Sequence, residues 1–215
     1  MNPEIAGLYA VTPDVASVPE LVAMAEAALS GGARLLQYRN KSADSDLRLA
    51  QARELLALCR TLQVPLIVND HLDLALAVGA DGVHLGAEDG SLAMARKQLG
   101  RTGILGASCY DRLELALEAE RLGADYVAFG SFFPSGVKPG AVRAPLTLLR
   151  DAKRRLSVPV VAIGGVTLEN APQLIAAGAD SVAVISAVFG ADDARAAARR
   201  FSELFARQPL VARHS

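Results

Sequence analysis

One phrase recurs four times along this chain and constrains its fold more than any other feature. Gly32-Ala33-Arg34-Leu35-Leu36, Gly79-Ala80-Asp81-Gly82-Val83, Gly123-Ala124-Asp125-Tyr126-Val127 and Gly178-Ala179-Asp180-Ser181-Val182 each close a helix-like stretch and open an apolar run. Their glycines fall 47, 44 and 55 residues apart, the length of a pair of βα units. Glycine reaches the left-handed conformation that ends a helix without a Cβ penalty, and a short turn then feeds a strand. Further apolar runs lie between the phrases, at residues 8–11, 66–68, 104–107 and 160–163. Together they predict eight strands, near 8–12, 34–39, 65–69, 82–85, 104–108, 126–130, 159–163 and 181–185. The runs are continuously apolar rather than alternating, as in a parallel sheet covered on both faces. Helical spacing fills the gaps, with Leu55, Cys59 and Leu62 on one face and Leu113, Ala116 and Leu117 on another. Asp111 followed by Glu114 predicts a capping box that opens the fifth helix.

Eight units in 215 residues average about 27 residues each, short but sufficient for a (β/α)8 TIM barrel. An open doubly wound sheet is the competing architecture. It calls for a G-x-G-x-x-G turn after the first strand, and Leu8-Tyr9-Ala10-Val11-Thr12-Pro13 offers none. The expected fold is therefore α/β, a single-domain barrel over residues 1–215 with no linker, its tail after about residue 207 expected to fray. A hydrophobic fraction of 52% argues against disorder, and no apolar run approaches the roughly 18 residues of a membrane span. Lys and Arg number 22 against 23 Asp and Glu, with no block of like charge, so no nucleic-acid partner is expected. The first 33 residues hold no Lys or Arg, unlike the start of a signal or transit peptide. Cys59 and Cys109 have no metal-type spacing and suit a reduced cytoplasmic enzyme.

In such a barrel the chemistry sits at the carboxyl ends of the strands, so the polar residues there carry the functional reading. Strand two ends Gln37-Tyr38-Arg39-Asn40-Lys41, and period-two alternation sends Gln37, Arg39 and Lys41 to one face, toward the mouth if Leu35 points inward. Two cations and an amide converging there make an anion site, the alternative being a solvated loop. Strand three ends Asn69-Asp70, and Asp89 lies four residues past strand four. Two carboxylates beside Arg39 and Lys41 suit Mg2+ shared with a substrate's phosphates; alone, either aspartate reads more simply as a helix N-cap. Strand five ends at Ser108, and strand six runs into Phe132-Phe133-Pro134-Ser135-Gly136-Val137-Lys138. Gly164-Gly165 after strand seven and Ile185-Ser186 after strand eight fall where barrels commonly bind a phosphate, though a Gly-Gly pair also serves backbone geometry alone. His84, inside an apolar strand, reads as a hydrogen-bonded core or supporting group, and His71 as an exposed helix-start residue. Cys59 reads as core, and Cys109 as flanking the mouth without a base to activate it. The residues thus outline a barrel enzyme with two anionic subsites. One combines Mg2+ with Arg39, Lys41 and Lys138 for a diphosphate; the other uses backbone amides after strands seven and eight for a monophosphate. No nucleophile–base pair is evident.

Taken in register, these fragments resemble the thiamine-phosphate synthase family, in order from about Leu8 to Phe205: Gln37-Tyr38-Arg39-Asn40-Lys41, Leu66-Ile67-Val68-Asn69-Asp70, Asp81-Gly82-Val83-His84-Leu85-Gly86 with Asp89, Gly106-Ala107-Ser108, Phe132 through Lys138, Ala162-Ile163-Gly164-Gly165 and Val184-Ile185-Ser186. The resemblance implies a cytoplasmic transferase that joins hydroxymethylpyrimidine diphosphate to thiazole phosphate, giving thiamine phosphate and diphosphate. By carry-over, Gln37, Arg39, Lys41, Asn69, Ser108 and Lys138 hold the pyrimidine diphosphate, with Lys138, Arg39 and Ser108 as the catalytic set. Asp70 and Asp89 bind Mg2+, and Ser135, Gly136, Val137, Gly165, Ile185 and Ser186 bind the thiazole phosphate. The implied reaction is dissociative: diphosphate leaves first and the thiazole nitrogen attacks a pyrimidine-methyl cation. Two departures stand out. Val137 falls where relatives carry a threonine, and Tyr110 where they often carry His. A related thiazole tautomerase, an isomerase that relies on that His and lacks the aspartate pair, is the nearest rival. A non-catalytic phosphate-binding barrel is the third reading.

Overall fold

All eight expected strands form, with bounds within two residues of those read from the sequence. A computed structural model describes residues 5–134 and 142–206. The strands are β1 (Gly7–Val11), β2 (Leu35–Tyr38), β3 (Leu66–Asn69), β4 (Gly82–Leu85), β5 (Ile104–Tyr110), β6 (Tyr126–Phe129), β7 (Val160–Ile163) and β8 (Ser181–Val184). Each runs parallel to its neighbours in chain order, and β8 closes on β1 through pairs such as Tyr9 with Ala183. Around them lie α1 (Val18–Ser30), α2 (Ser45–Leu62), α3 (Leu72–Val78), α4 (Leu92–Leu99), α5 (Leu113–Arg121), α6 (Leu146–Arg155), α7 (Ala171–Ala176), the short α8 (Ser186–Phe189) and α9 (Ala194–Ala206). The doubly wound alternative is excluded by this closure. The tail expected to fray lies outside the described residues. Among the described residues no helix is long and apolar enough to cross a membrane.

Alternation along each strand separates two apolar layers. Tyr9, Val11, Leu35, Ile67, Ile104, Tyr126 and Val161 fill the barrel interior. Leu8, Leu36, Leu66, Val127, Val160 and Val182 face the helices, where they meet Leu21, Leu55, Leu149 and Phe201. Each such side chain contributes about 1.5–3 kcal/mol by leaving water. Cys59 is core, as expected. Cys109 corrects the sequence reading, because it is fully buried in the outer layer rather than flanking the mouth, and burial raises its thiol to about 12.

The repeated phrase is a hinge between helix and strand. Gly32, Gly79, Gly123 and Gly178 all take positive φ, between +73° and +112°. Three of the phrases then use their aspartate to accept a backbone N–H from the preceding strand: Asp81 from Leu66 at 2.8 Å, Asp125 from Leu105 at 2.7 Å and Asp180 from Val160 at 2.8 Å. A cation on an earlier helix completes the contact. Arg60 donates to the Gly79 carbonyl, Arg96 to that of Gly123 and to Asp125, and Lys153 to both oxygens of Asp180. In the first phrase Ser202 of α9 donates to the Gly32 carbonyl at 2.9 Å. All of these contacts lie at the amino ends of the strands.

The capping box does not form. Arg112 occupies the N-cap of α5 and makes no side-chain cap. Tyr110 takes φ +54°, the β5–β6 register shifts between Ser108 and Tyr110, and the Arg112 N–H bonds to the Cys109 carbonyl. Asp111 is thereby held inside a tight turn, too early to reach the first helical N–H groups.

Candidate active site

The carboxyl ends of the strands surround one cavity of about 960 Å3. Every strand contributes: Val11 from β1, Gln37 from β2, Asn69 from β3, His84 from β4, Ser108 from β5, Ala128 from β6, Ile163 from β7 and Ala183 from β8. Arg39, Lys41, Asp70, Asp89, Gly165, Ile185 and Ser186 line it as well. Of the sequence-predicted site residues, Ser135, Gly136, Val137 and Lys138 lie outside the described residues; all the others meet here.

Arg39 is held from the first βα loop, which the sequence reading did not single out. The buried Thr12 hydroxyl accepts the Arg39 N–H at 2.8 Å and donates to the Arg39 carbonyl at 2.9 Å. Asp14 accepts from the guanidinium at 2.8 Å and from the Lys41 N–H at 3.2 Å. Asn40 ties the loop closed, accepting the Ser42 and Ala43 N–H groups and donating to the Val15 carbonyl. Arg39 is therefore part of a hydrogen-bonded frame, whereas the Lys41 side chain extends from that frame into solvent. Lys41 reaches Asp70 at 3.7 Å.

Neither aspartate caps a helix. His71 takes the N-cap position of α3 without a side-chain cap, and Ser91 caps α4. His71 is half-buried there, rather than exposed as its position in the sequence suggested. Asp70 sits at φ +63° at the tip of β3, and Asp89 accepts the Gly86 N–H at 2.8 Å. Burial raises the Asp70 carboxyl above its ordinary value, and the adjacent Asp89 raises it further; Lys41 and His71 oppose the shift. Two hard oxygen donors that repel each other's charge have a use for a cation between them. Among the described residues there is no cluster of three or more side chains that would cage a metal without help.

Across the mouth, Gly164 and Gly165 take φ of +101° and +64°. A Cβ on Gly165 would lie 2.3 Å from the Pro134 carbonyl oxygen, so the close approach of the β6 and β7 loops requires glycine. Backbone geometry alone is thus enough to require glycine at this pair. Beside it, Ser186 opens the four-residue α8, in which the Val188 and Phe189 N–H groups bond to the Ile185 carbonyl while those of Ser186 and Ala187 come too early in the turn for an intrahelical acceptor.

The structure also joins a serine to a histidine, which sequence reading did not anticipate. His84 Nε2 is 2.8 Å from Ser108 Oγ, and its Nδ1 is 3.0 Å from the Tyr126 hydroxyl. Burial lowers the His84 imidazole to about 4, a weak base poorly matched to taking a serine proton. The pair is a hydrogen-bonded support, not an activated nucleophile. Tyr9 and Tyr126 complete it from β1 and β6, on residues far apart in sequence that no local spacing could link.

A family model described as thiamine monophosphate synthase matches residues 8–188. The thiamine-phosphate synthase of Thioalkalivibrio sulfidiphilus is 58% identical over 93% of this chain and 95% of its own. That of Nitrosomonas eutropha is 54% identical over 94% of this chain and 95% of its own. Among solved structures, thiamine phosphate pyrophosphorylase from Pyrococcus furiosus superposes with a TM-score of 0.82 at 38% identity, covering 94% of this chain and 96% of that one. With a match spanning most of the barrel and identities this high, the chain belongs to the thiamine monophosphate synthase family.

Proposed function

We propose that the cavity joins hydroxymethylpyrimidine diphosphate to thiazole phosphate, releasing diphosphate and forming thiamine phosphate. The observation that carries this reading is the meeting of two unlike anion sites in one cavity: Arg39 and Lys41 beside the Asp70–Asp89 pair, and Gly165, Ile185 and Ser186 across from them. A volume of about 960 Å3 is at the upper end for a ligand site and leaves room for two substrates together.

Gln37, Arg39, Lys41, Asn69 and Ser108 hold the pyrimidine diphosphate, with Lys138 from the segment after β6, outside the described residues. Ser135, Gly136 and Val137 of that segment, with Gly165, Ile185 and Ser186, hold the thiazole phosphate. In the reaction the C–O bond to diphosphate breaks with its electron pair on oxygen, and the thiazole nitrogen then gives its lone pair to the pyrimidine methylene carbon. No protein nucleophile is needed. The demand is for positive charge facing the departing oxygens, which Arg39, Lys41 and Lys138 supply. Asp70 and Asp89 fit a Mg2+ ion: two carboxylates leave the rest of an octahedral shell to water and phosphate oxygens. Bound there, Mg2+ would neutralise charge on the diphosphate.

Incubating the purified chain with both substrates and Mg2+, with mass spectrometry as readout, tests the reading. Thiamine phosphate and diphosphate in equal amounts are expected. Conversion of a carboxylated thiazole phosphate to its tautomer, with no thiamine phosphate formed, would replace the transferase by the isomerase; no turnover of either kind would leave a binding barrel.

A further inference from the structure

Along the cavity floor runs a continuous row of hydrogen bonds. Gln37 Nε2 donates to the Tyr9 hydroxyl at 2.9 Å, Tyr9 meets the Tyr126 hydroxyl at 2.7 Å, Tyr126 meets His84 Nδ1 at 3.0 Å, and His84 Nε2 meets Ser108 Oγ at 2.8 Å. Five strands supply the five groups, and the three inner ones are almost wholly enclosed, Tyr126 at 0%, Tyr9 at 1% and His84 at 7% exposure. Ring contacts lock their orientations. Tyr9 meets Tyr126 edge to face with centroids 5.8 Å apart, and His84 stacks on Tyr126 at 5.5 Å. Gly106 makes room for them: a Cβ there would lie 2.2 Å from Tyr126 Cζ and 2.5 Å from His84 Nδ1.

Proton counting gives this row a direction. Each hydroxyl has one proton, and a neutral imidazole has one N–H. Tyr9 accepts from Gln37, so its own proton goes to Tyr126. Tyr126 then has its proton left for His84 Nδ1, which places the imidazole N–H on Nε2. That N–H is donated to Ser108 Oγ, and the Ser108 proton is turned outward.

We infer that Tyr9, Tyr126 and His84 are positioning residues that fix the Ser108 hydroxyl as a hydrogen-bond donor facing the substrate cavity. The row selects a ligand atom at Ser108 that accepts: a ring nitrogen or a leaving-group oxygen, and not an N–H or O–H group. Its other end leaves the Gln37 carbonyl for the same ligand. That this ligand is the pyrimidine diphosphate rests on the reading above; the direction of the row does not.

The test reads the direction without substrate. The chain has three histidines, so long-range proton–nitrogen correlation on histidine-labelled protein identifies His84 by its loss in His84→Gln. At neutral pH His84 is expected as the Nε2–H tautomer, with Nδ1 an unprotonated acceptor. In Tyr126→Phe, which keeps the ring, that preference should give way to a mixture of tautomers. The kcat/KM for the pyrimidine diphosphate should fall about tenfold, with the thiazole phosphate KM held within twofold. His84→Gln, which keeps an N–H at the far end of the side chain, should retain more activity than His84→Leu. An Nδ1–H tautomer or an imidazolium in the wild-type chain overturns the proposal. So does a Tyr126→Phe protein that is less stable yet keeps both the tautomer and kcat/KM, since Tyr126 would then only pack. If the tautomer is as expected and no thiamine phosphate forms, the function fails and the row stands.

Discussion

Asp70 is held at the tip of β3 with a left-handed backbone, where burial and the Asp89 carboxylate disfavour its charged form. A carboxyl with a raised folded-state pKa binds its proton more readily folded than unfolded. Its stabilising contribution is therefore complete below the ordinary aspartate range and is lost as pH rises through the folded value. In chelator-treated protein, Asp70→Asn should raise the Tm at neutral pH by a few degrees, and the gain should shrink as the buffer is made acidic. Asparagine also tolerates the left-handed backbone, so strain does not confuse the comparison. The same variant should lose Mg2+-dependent turnover; thermal scans at two pH values beside an activity assay check both halves. Lys138 tests the opposite charge. If the C–O bond breaks before C–N bond formation, negative charge grows on the diphosphate as the barrier is crossed, and a cation there acts mainly in the transition state. Lys138→Ala should cut kcat by about 10²–10³ while the pyrimidine diphosphate KM moves much less. A near-normal kcat with a strongly raised KM would make Lys138 a binding residue only.

At the scale of elements, the β7–α7 turn is where geometry and chemistry are hardest to separate. Gly165→Ala places a methyl against the Pro134 and Phe133 carbonyl oxygens in a backbone that disfavours it, at a strain of about 1–3 kcal/mol. The β6 and β7 loops must then part, on the side of the cavity proposed for the monophosphate. The expected result is a thiazole phosphate KM raised roughly tenfold, equivalent to about 1.4 kcal/mol of binding, with the pyrimidine diphosphate KM within twofold. Steady-state kinetics with each substrate varied in turn distinguishes this from general damage. Elements of this kind were legible in the sequence because the Gly-Ala-Asp phrase and the apolar runs are local signals. So were the strand-end residues, since barrel topology brings every carboxyl end to one mouth. The α5 start was not, because the left-handed turn at Tyr110 and the β5–β6 register shift come from strand pairing rather than from spacing. His84 was legible as a hydrogen-bonded supporting group, but its partners Tyr9 and Tyr126 were out of reach for a related reason: the Tyr9–Tyr126 bond spans 117 residues. Asp14 and Thr12 were hidden because they act on Arg39 from the neighbouring unit.

The molecule as a whole divides its labour between two ends. The carboxyl ends carry strained backbone at Asp70 and Tyr110, a repelling carboxylate pair and a large cavity, all features that cost stability. The amino ends carry the repeated aspartates, each accepting a strand N–H, and three of the four phrases meet a helix cation there. In barrels of this class that end governs stability and stands apart from the chemistry. Asp125 is the most enclosed of the ion-paired copies: its side chain is 20% exposed and its partner Arg96 22%, against 23% and 38% for Asp180 and Lys153. Removing Asp125 strands both the Leu105 N–H and a largely buried guanidinium that also serves the Gly100, Gly103 and Gly123 carbonyls. Asp125→Ala should therefore cost on the order of 3 kcal/mol, the scale for breaking an enclosed pair. For a chain of this length each kcal/mol corresponds to about 2–4 °C, so the Tm should fall by about 6–12 °C. Asp180→Ala should lose less, because water screens Lys153 more fully. In both variants kcat and both KM values should stay within twofold at a temperature where the protein remains folded. Calorimetry and kinetics on the pair check the ranking. A loss of activity from Asp125→Ala without a matching loss of Tm would mean that the two ends are coupled through the barrel.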